Sequence, residues 1–225
     1  WYVQTIAALK ELVVGFEDNI EGISFSGQMH GLVILDKNDK ILRNSLLWND
    51  QRTVKEVEYL NNEIGIEKLL EYTGNIALTG LTAPKILWVK NNEPEIFKQI
   101  SKIMLPKDYL AYMLSGVFAS DMSDTSGTLY FDVKNKKYSK EMLQILGITE
   151  EQLPQVFESY EVIGNLKDSL KHDLNISKDI KIIIGGGDQA VGAVGVGVVG
   201  NTSWNNIWID VAVLMKTFGK FTFAA

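Results

Sequence analysis

The sequence predicts an α/β fold in which strands and helices alternate in a mixed order. In several segments apolar residues recur every three or four positions, which is typical of amphipathic helices. Between them lie short alternating or continuous apolar runs bounded by Gly, Asn and Asp, which are typical of strands. No internal repeat or low-complexity linker divides the 225 residues, so we expect one main domain.

The first third of the chain predicts a helix followed by three strands. Helical spacing marks residues 2–13, and alternating or apolar runs predict strands at 20–25 and 31–35 around a loop at 26–30. A third strand is predicted at 41–48, and a helix at 53–62.

The middle of the chain is mostly helical. Helices are predicted at residues 65–71 and 84–91, the second with Pro84 in its first turn, where a missing N–H costs little. A short strand at 103–105 precedes a helix at 107–114, and a further helix is predicted at 139–146.

The last predicted unit is a buried strand at residues 181–184, followed by three glycines and a helix from Gln189 to about Val198. Three consecutive glycines allow the backbone to turn sharply as it leaves the strand. Asp188 therefore lies at the carboxyl end of a strand, where open α/β sheets bind ligands.

Charge and composition exclude several classes of function. Lys and Arg number 22 against 28 Asp and Glu, a net charge of −6, and this acidic balance argues against nucleic acid as the main partner. There is no cysteine, which excludes disulfides, thiolate zinc sites and a cysteine nucleophile, and is consistent with a cytoplasmic location.

No membrane association is predicted. The longest nearly uncharged stretch, residues 182–193, is shorter than the roughly 20 residues of a spanning helix. The chain opens at Trp1 without the pattern of a signal peptide. It also opens without Met and within a predicted helix, which suggests further residues upstream.

Asp188 has two interpretations from its position alone. A carboxylate at this place can accept a proton from a bound hydroxyl group, as a general base does. Asp is also among the best residues for capping a helix N-terminus, so Asp188 could simply cap the helix that follows.

A different function is suggested by the spacing Gly185-x-Gly187-x-x-Ala190, which fits a dinucleotide-binding fingerprint, with Asp210 near the expected acidic position. In that case a pyrophosphate would bind at the helix N-terminus beside the Asp188 carboxylate. Two anions at one helix dipole oppose each other, so this oxidoreductase hypothesis is the weaker one.

Two further segments carry candidate ligand contacts. In the loop at 26–31, Met29 could form an apolar wall and His30 a hydrogen-bond partner for a polar ligand, although a loop histidine is often structural. At the end of the predicted third strand, Trp48 could stack on a sugar and Arg52 could bind an anion. For these two, a core aromatic beside a helix cap is an equally good interpretation. No His, Asp and Glu cluster has metal-ligand spacing.

Six motifs together resemble the xylulokinases of the FGGY carbohydrate kinase family, in the same order and spacing. They are SGQMHG, LLWNDQR, TAPKILWVKNNEPEIF, LPKDYLAYMLSG, SDMSDTSGTLYFDV and GGGDQAVGAVGVG. The resemblance runs from Trp1 to about Gly200 and implies a ribonuclease H-like, actin-type domain, the sugar-binding first domain (residues 1–200) of a two-domain kinase.

The resemblance also implies a function. Asp188 matches the family's catalytic base, Met29 and His30 match its substrate-contacting pair, and Trp48 and Gln189 match positions lining the sugar pocket. The implied reaction is ATP- and Mg²⁺-dependent phosphorylation of a ketopentose, most simply D-xylulose, in xylose metabolism. Another sugar or polyol, or a non-catalytic sugar-binding domain, stays an alternative, and a homodimer stays open.

The chain departs from the family pattern at both ends. The family's first strand and Gly/Thr-rich phosphate loop have no counterpart, the ATP-binding domain is absent, and residues 201–225 do not follow the family pattern. The resemblance therefore implies a fragment, incomplete at both ends, that binds no ATP or Mg²⁺ and is inactive alone. The tail at 201–225 has the look of a chain end or a shifted reading frame.

Overall fold

The computed structural model describes residues 1–197, 208–210 and 213–215, and within them helices and short strands alternate along the chain. The helices are α1 (Tyr2–Leu12), α2 (Val54–Glu58), α3 (Ile66–Thr73), α4 (Thr82–Asn92), α5 (Pro94–Phe97), α6 (Pro106–Ser115), α7 (Met122–Thr125), α8 (Lys140–Leu146), α9 (Asp168–Asp173) and α10 (Asp188–Gly195). The strands are β1 (Gly22–Ile23), β2 (Ser26–Gly27), β3 (Val33–Leu35), β4 (Lys102–Met104), β5 (Ala119–Asp121), β6 (Phe131–Asp132), β7 (Lys137–Tyr138), β8 (Gln155–Phe157), β9 (Val162–Asn165), β10 (Lys181–Ile183), β11 (Gly186–Gly187), β12 (Trp208–Asp210) and β13 (Val213–Met215).

Two chain segments that lie side by side in the fold, residues 22–27 and 181–187, position the candidate site. Strand β1 runs parallel to β10, which pairs with β9 in the antiparallel sense. Two residues beyond β1 and β10, the same two segments pair again as β2 and β11, with Gly186 opposite Ser26 and Gly187 opposite Gly27. Because the two strands are parallel, the loop after β2 and the helix after β11 begin at the same edge.

The N-terminal helix forms as predicted, and the strand predicted at 181–184 is present as β10 over Lys181–Ile183, but the predicted loop at 26–30 starts later than expected. Ser26 and Gly27 are in a strand because they pair with Gly186 and Gly187. Sequence pattern alone could not show this, since both halves of the pair are rich in glycine and carry no alternating apolar pattern.

The predicted strand at 41–48 is wrong. Within the described residues the segment forms only isolated bridges, Leu35 with Ile41 at the end of β3 and Leu32 with Leu46 just before β3 begins. Between these bridges Arg43 directs its Nε to the carbonyl of Asn44 and forms an ion pair with Glu93 at 2.6 Å. The side-chain contacts of Arg43 between the two bridges interrupt the backbone hydrogen-bond ladder with β3.

The helix predicted at 53–62 is shorter than expected. Regular α-helix ends at Glu58 and the chain continues as a π-helix over Tyr59–Gly65 before α3. Within this wider turn the Asn61 side chain bonds both the N–H and the carbonyl of Ala77, each at 3.0 Å. A tertiary contact therefore accompanies the departure from α-helical spacing.

Two apolar clusters form most of the core. The larger packs α3, α4 and α8 against β3 and β4, with Leu69, Ile86 and Ile103 fully buried. The smaller lies around β10 and α9 and includes Ile182 and Leu170. Among the described residues, no helix combines the length and apolar composition that crossing a membrane requires.

The C-terminal predictions fall mostly outside the described residues. Helix α10 is described to Gly195, and the departure from the family pattern at 201–225 is described only where β12 and β13 pair in the antiparallel sense.

The two largest fully buried side chains of the described part are both lysines, Lys85 and Lys107. Lys85 lies in the motif TAPKILWVKNNEPEIF and Lys107 in the motif LPKDYLAYMLSG.

Candidate active site

Met29 packs directly against the glycine that precedes Asp188. A Cβ placed on Gly187 would lie 2.8 Å from Met29 Cγ and 2.9 Å from its Sδ. Met29 is buried, with 8% of its surface exposed. The parallel pairing of β2 with β11 thus brings the Met29 loop to the start of α10.

His30 is held in an unusual backbone conformation in the same loop. Its φ of +68° lies in the left-handed region, which non-glycine residues seldom adopt. Its ring packs against Gly127, where a Cβ would lie 2.8 Å from His30 Nδ1 and 3.1 Å from Met29 Cε. His30 therefore shares one packed contact with Met29 and with the SDMSDTSG segment.

Lys85, on helix α4, holds the His30 loop by a hydrogen bond to its backbone. Its Nζ donates to the carbonyl of His30 at 2.8 Å and to the carbonyl of Gly80, and Thr82 Oγ1 donates to the same His30 carbonyl at 3.2 Å. Burial lowers the pKa of Lys85 to about 7, and nearby Asp50 opposes the shift. A neutral amine has two N–H groups, enough for the two carbonyls.

Burial and the neighbouring Lys85 also lower the pKa of His30 to about 4, with a backbone contact to Gly127 opposing the shift. The imidazole is therefore neutral at physiological pH. A neutral ring has one nitrogen that donates and one that accepts, so it can bond either side of a hydroxyl group.

Trp48 contacts Gly80, whose carbonyl accepts from Lys85, through its backbone carbonyl. A Cβ on Gly80 would lie 2.9 Å from the Trp48 carbonyl oxygen, and Gly80 in turn accepts from Lys85. The Trp48 side chain is 38% exposed. Arg52 is engaged elsewhere, since its Nε bonds Asp50 Oδ1 at 2.9 Å and its guanidinium stacks over Trp88 at 4.7 Å.

Asp188 is the first residue of α10, and the capping position falls to Gly187, which has no side chain to cap with. Asp188 Oδ1 accepts the N–H of Gln189 at 2.9 Å. Within the described residues no donor bonds Asp188 Oδ2. The carboxylate thus makes one helix-start contact and keeps one oxygen for a ligand. Gln189, beside it, is partly exposed.

Burial raises the pKa of the Asp188 carboxyl above its usual range, and the backbone N–H of Gln189 opposes this shift. A raised pKa makes the carboxylate a stronger proton acceptor. A carboxylate that binds a proton more tightly is able to act as a general base.

The three glycines before Asp188 are packed by the chain itself. Gly185 lies against the backbone of Phe25, Gly186 against Ser123 Oγ, and Gly187 against Met29. All three are buried. A dinucleotide fingerprint needs such glycines to let a pyrophosphate approach, and here protein atoms occupy that space.

The sequence pattern did not predict a buried group of one lysine and three aspartates next to the candidate site. Lys107 Nζ lies 2.8 Å from Asp108 Oδ1, 3.0 Å from Asp121 Oδ1 and 3.9 Å from Asp124 Oδ2, and all four side chains are at most 1% exposed. Burial acts to lower the pKa of Lys107, but the carboxylates raise it overall, which keeps the ammonium charged. The signal was present in LPKDYL and SDMSDTSG, whose charges the pattern did not show to be buried.

A model of the FGGY family of carbohydrate kinases, N-terminal domain, matches residues 1–195. The chain belongs to the FGGY family of carbohydrate kinases. This membership, with the packed glycines, decides against the dinucleotide oxidoreductase.

Individual FGGY relatives agree. A xylulose kinase from Staphylococcus xylosus is 41% identical over 199 residues, covering 88% of this chain and 41% of that protein. One from Escherichia coli K12 is 40% identical over 200 residues, covering 88% and 41%. The crystal structure of a xylulose kinase from Brucella ovis has a TM-score of 0.83 at 39% identity, covering 90% of this chain and 41% of that one.

These similarities confirm the predicted fold class, that of the FGGY sugar kinases with their actin-type α/β domain. The chain spans about two fifths of the length of these relatives. The roles of Met29, His30, Trp48, Asp188 and Gln189 in sugar binding and catalysis stay predictions.

Proposed function

We propose that this chain forms the sugar-binding part of a kinase that phosphorylates a ketopentose, D-xylulose to xylulose 5-phosphate, with Asp188 as the general base. The packing of Met29 on Gly187 is the observation that carries the proposal, because it brings the two motifs with predicted sugar contacts to one place. The relatives named xylulose kinase support this choice of substrate.

In the proposed step, the sugar hydroxyl oxygen bonds to the γ-phosphorus of ATP while the bond from that phosphorus to the bridging oxygen breaks. ADP leaves, and the hydroxyl proton passes to Asp188. Phosphoryl transfer needs mainly positioning and charge neutralisation, with one residue to orient the nucleophile and accept its proton. Asp188 Oδ2, which has no donor within the described residues, is the atom we assign to that proton.

The remaining site residues bind and orient the sugar. Neutral His30 can donate to or accept from a sugar hydroxyl, and Met29 provides an apolar wall. Gln189 offers an amide beside the base, and Trp48 a partly exposed ring able to cover a sugar face. These roles hold the reacting hydroxyl in place, which is the larger part of catalysis when two substrates must meet.

The described residues do not form a magnesium site by themselves. Within residues 1–197, 208–210 and 213–215, no group of three or more His, Asp or Glu is arranged to hold a metal ion. ATP and Mg²⁺ are used by the family, and we derive no step from the ion. The chain spans about two fifths of the length of its relatives, and we expect no turnover by the 225-residue chain alone.

A second candidate is a different polyhydroxy substrate of the same family. The crystal structure of a gluconate kinase from Lactobacillus acidophilus matches with a TM-score of 0.79 at 30% identity, covering 86% of this chain and 40% of that one. The same fold therefore accompanies a sugar acid in that protein. His30 is neutral here, so its ring offers a hydrogen bond and no positive charge to the substrate, which favours an uncharged sugar.

The test is a coupled ADP-release assay on the full-length protein with D-xylulose, D-ribulose, glycerol and D-gluconate. We expect the highest kcat/KM with D-xylulose. A preference for gluconate supports the second candidate, and no turnover with any of them contradicts the kinase proposal. The 225-residue chain is assayed in parallel. Sugar-dependent turnover by the chain, abolished in Asp188→Ala, would contradict the expectation that it is inactive alone.

A further inference from the structure

Ser123 connects the buried charged group to the start of α10. Its Oγ accepts the backbone N–H of Gly187 at 3.0 Å and donates to Asp121 Oδ2 at 2.6 Å. Gly187 immediately precedes Asp188. A single hydroxyl on α7 therefore bonds the residue that positions the proposed base.

The direction of both hydrogen bonds is fixed by chemistry. The backbone N–H of Gly187 can only donate, so Ser123 Oγ accepts it with a lone pair and the single hydroxyl hydrogen is left for Asp121. Asp121 is itself anchored, because its Oδ1 lies 3.0 Å from Lys107 Nζ and its Oδ2 also accepts the N–H of Ser123 at 2.9 Å. Lys107 and Asp121 are fully buried, so no solvent competes for these contacts.

Helix α10 lacks a local substitute for this bond. Gly187 occupies the capping position without a side chain, and no capping box closes the helix start. The fit around Ser123 is close, since a Cβ on Gly186 would lie 2.9 Å from Ser123 Oγ. Within the described residues, the helix start is therefore held by Ser123 from a neighbouring element, in addition to the contact of Asp188 with the N–H of Gln189.

We propose that Ser123 is a positioning residue for Asp188, with the buried Lys107–Asp121 ion pair fixing the hydroxyl that holds Gly187. This inference rests on the proposed function of Asp188. Ser123 bonds Gly187 and does not itself meet the sugar in this account. Its loss should let the helix start shift, which misplaces the base without removing it.

The chain offers a matched control in Ser159. Its hydroxyl donates to the same Asp121 Oδ2 at 2.6 Å, and it makes no hydrogen bond to Gly187. Ser159→Ala thus removes an equal bond to the same carboxylate and leaves the helix start held. Ser123→Thr keeps the hydroxyl and serves as the conservative variant.

The experiment measures kcat and the sugar KM of the full-length protein and its Ser123→Ala, Ser123→Thr and Ser159→Ala variants, well below their thermal midpoints. We expect Ser123→Ala to lower kcat on the order of 10- to 100-fold with KM changed less than about threefold, because a misplacement near 1 Å has this effect. Ser159→Ala and Ser123→Thr should stay within about threefold of wild type. Equal losses in Ser123→Ala and Ser159→Ala, an unchanged kcat in Ser123→Ala, or failure of Ser123→Ala to fold would overturn the inference.

Two further measurements separate this inference from the proposed function. Asp188→Asn is assayed alongside: if it keeps wild-type kcat, the general-base role fails, whereas loss of kcat there with full activity in Ser123→Ala ends only the Ser123 inference. Amide hydrogen exchange at Gly187 needs no activity. It should speed up in Ser123→Ala and not in Ser159→Ala, and equal protection in both would overturn the inference even without a substrate.

Discussion

Met29 and Gly187 lie in direct contact, close enough that a Cβ at position 187 would be 2.8 Å from Met29 Cγ. The two residues belong to motifs far apart in sequence, one after β2 and one before α10. Their contact is possible only because position 187 has no side chain. The absence of a Cβ at this glycine, rather than its backbone freedom, therefore gives the site its shape.

Substituting Gly187 with alanine tests this contact. The backbone of Gly187, with φ −58° and ψ 141°, is accessible to alanine, so only the clash with buried Met29 opposes the change. We expect Gly187→Ala to lower the free energy of unfolding by about 1–3 kcal/mol, as overpacking does. The measurement is urea-induced unfolding of each variant.

The control for this substitution is Gly195→Ala, in the helix that follows Gly187, where a Cβ would meet no described atom within 4 Å. It should be neutral or stabilising by up to about 1 kcal/mol. In a Met29→Ala background, which removes the clashing atoms, Gly187→Ala should cost much less than in wild type. An equal cost in both backgrounds would show that the contact is not the cause.

Lys85 predicts an unusual pH dependence of stability. Its pKa is about 7 in the fold against 10.5 for the free side chain, so the unfolded chain binds more protons between these values. Stability from this group is therefore greatest above pH 10.5 and is lost as the pH falls through 10.5 towards 7. From pH 7 to pH 9 the wild type should gain up to about 2 kcal/mol relative to Lys85→Met.

The comparison of unfolding free energies at the two pH values cancels the other titrating groups. Lys68→Met, an exposed substitution on α3, controls for loss of a lysine as such. A wild type and a Lys85→Met variant with the same pH slope would mean that Lys85 stays charged in the fold.

The ring of His30 should stay neutral far below the usual pH for histidine. Its pKa of about 4 predicts that its Cε1–H chemical shift moves little between pH 8 and pH 5.5. The sequence has two histidines, so the His172→Gln variant leaves His30 as the sole signal. A titration midpoint between pH 6 and 7 would contradict the burial and the Lys85 contact that lower this pKa.

Local pattern predicted the long helices and the buried strands because each places apolar residues at the period of its own element. The strand at 41–48 was wrong because the tertiary ion pair of Arg43 with Glu93 breaks the ladder, and no local period reports a partner fifty residues away. The π-helix over Tyr59–Gly65 was not predicted for the same reason, since the contacts of Asn61 with Ala77 are tertiary.

The residues of the candidate site also differ in whether the sequence pattern reveals them. The sequence singled out Asp188, Met29 and His30 as candidates because strand ends and glycine-rich turns are visible in it. Lys85, Lys107 and Ser123 were not, since a lysine in a helix is normally solvated and only the fold shows these two lysines to be fully buried. Residues that hold the site in place act through burial, which sequence pattern reports least.

The central claim is that Asp188 accepts the proton of the sugar hydroxyl, and the most direct measurement is kcat of Asp188→Asn in the full-length protein. Asparagine keeps a side-chain oxygen that can accept the N–H of Gln189, so the helix start and the sugar contacts should persist while proton acceptance is lost. We expect kcat to fall on the order of 10²- to 10⁴-fold with the sugar KM changed far less. If Asp188 only bonded the N–H of Gln189 at the helix start, Asp188→Ala would lower stability by about 1 kcal/mol and Asp188→Asn would keep kcat near that of wild type. That result would contradict the general-base assignment.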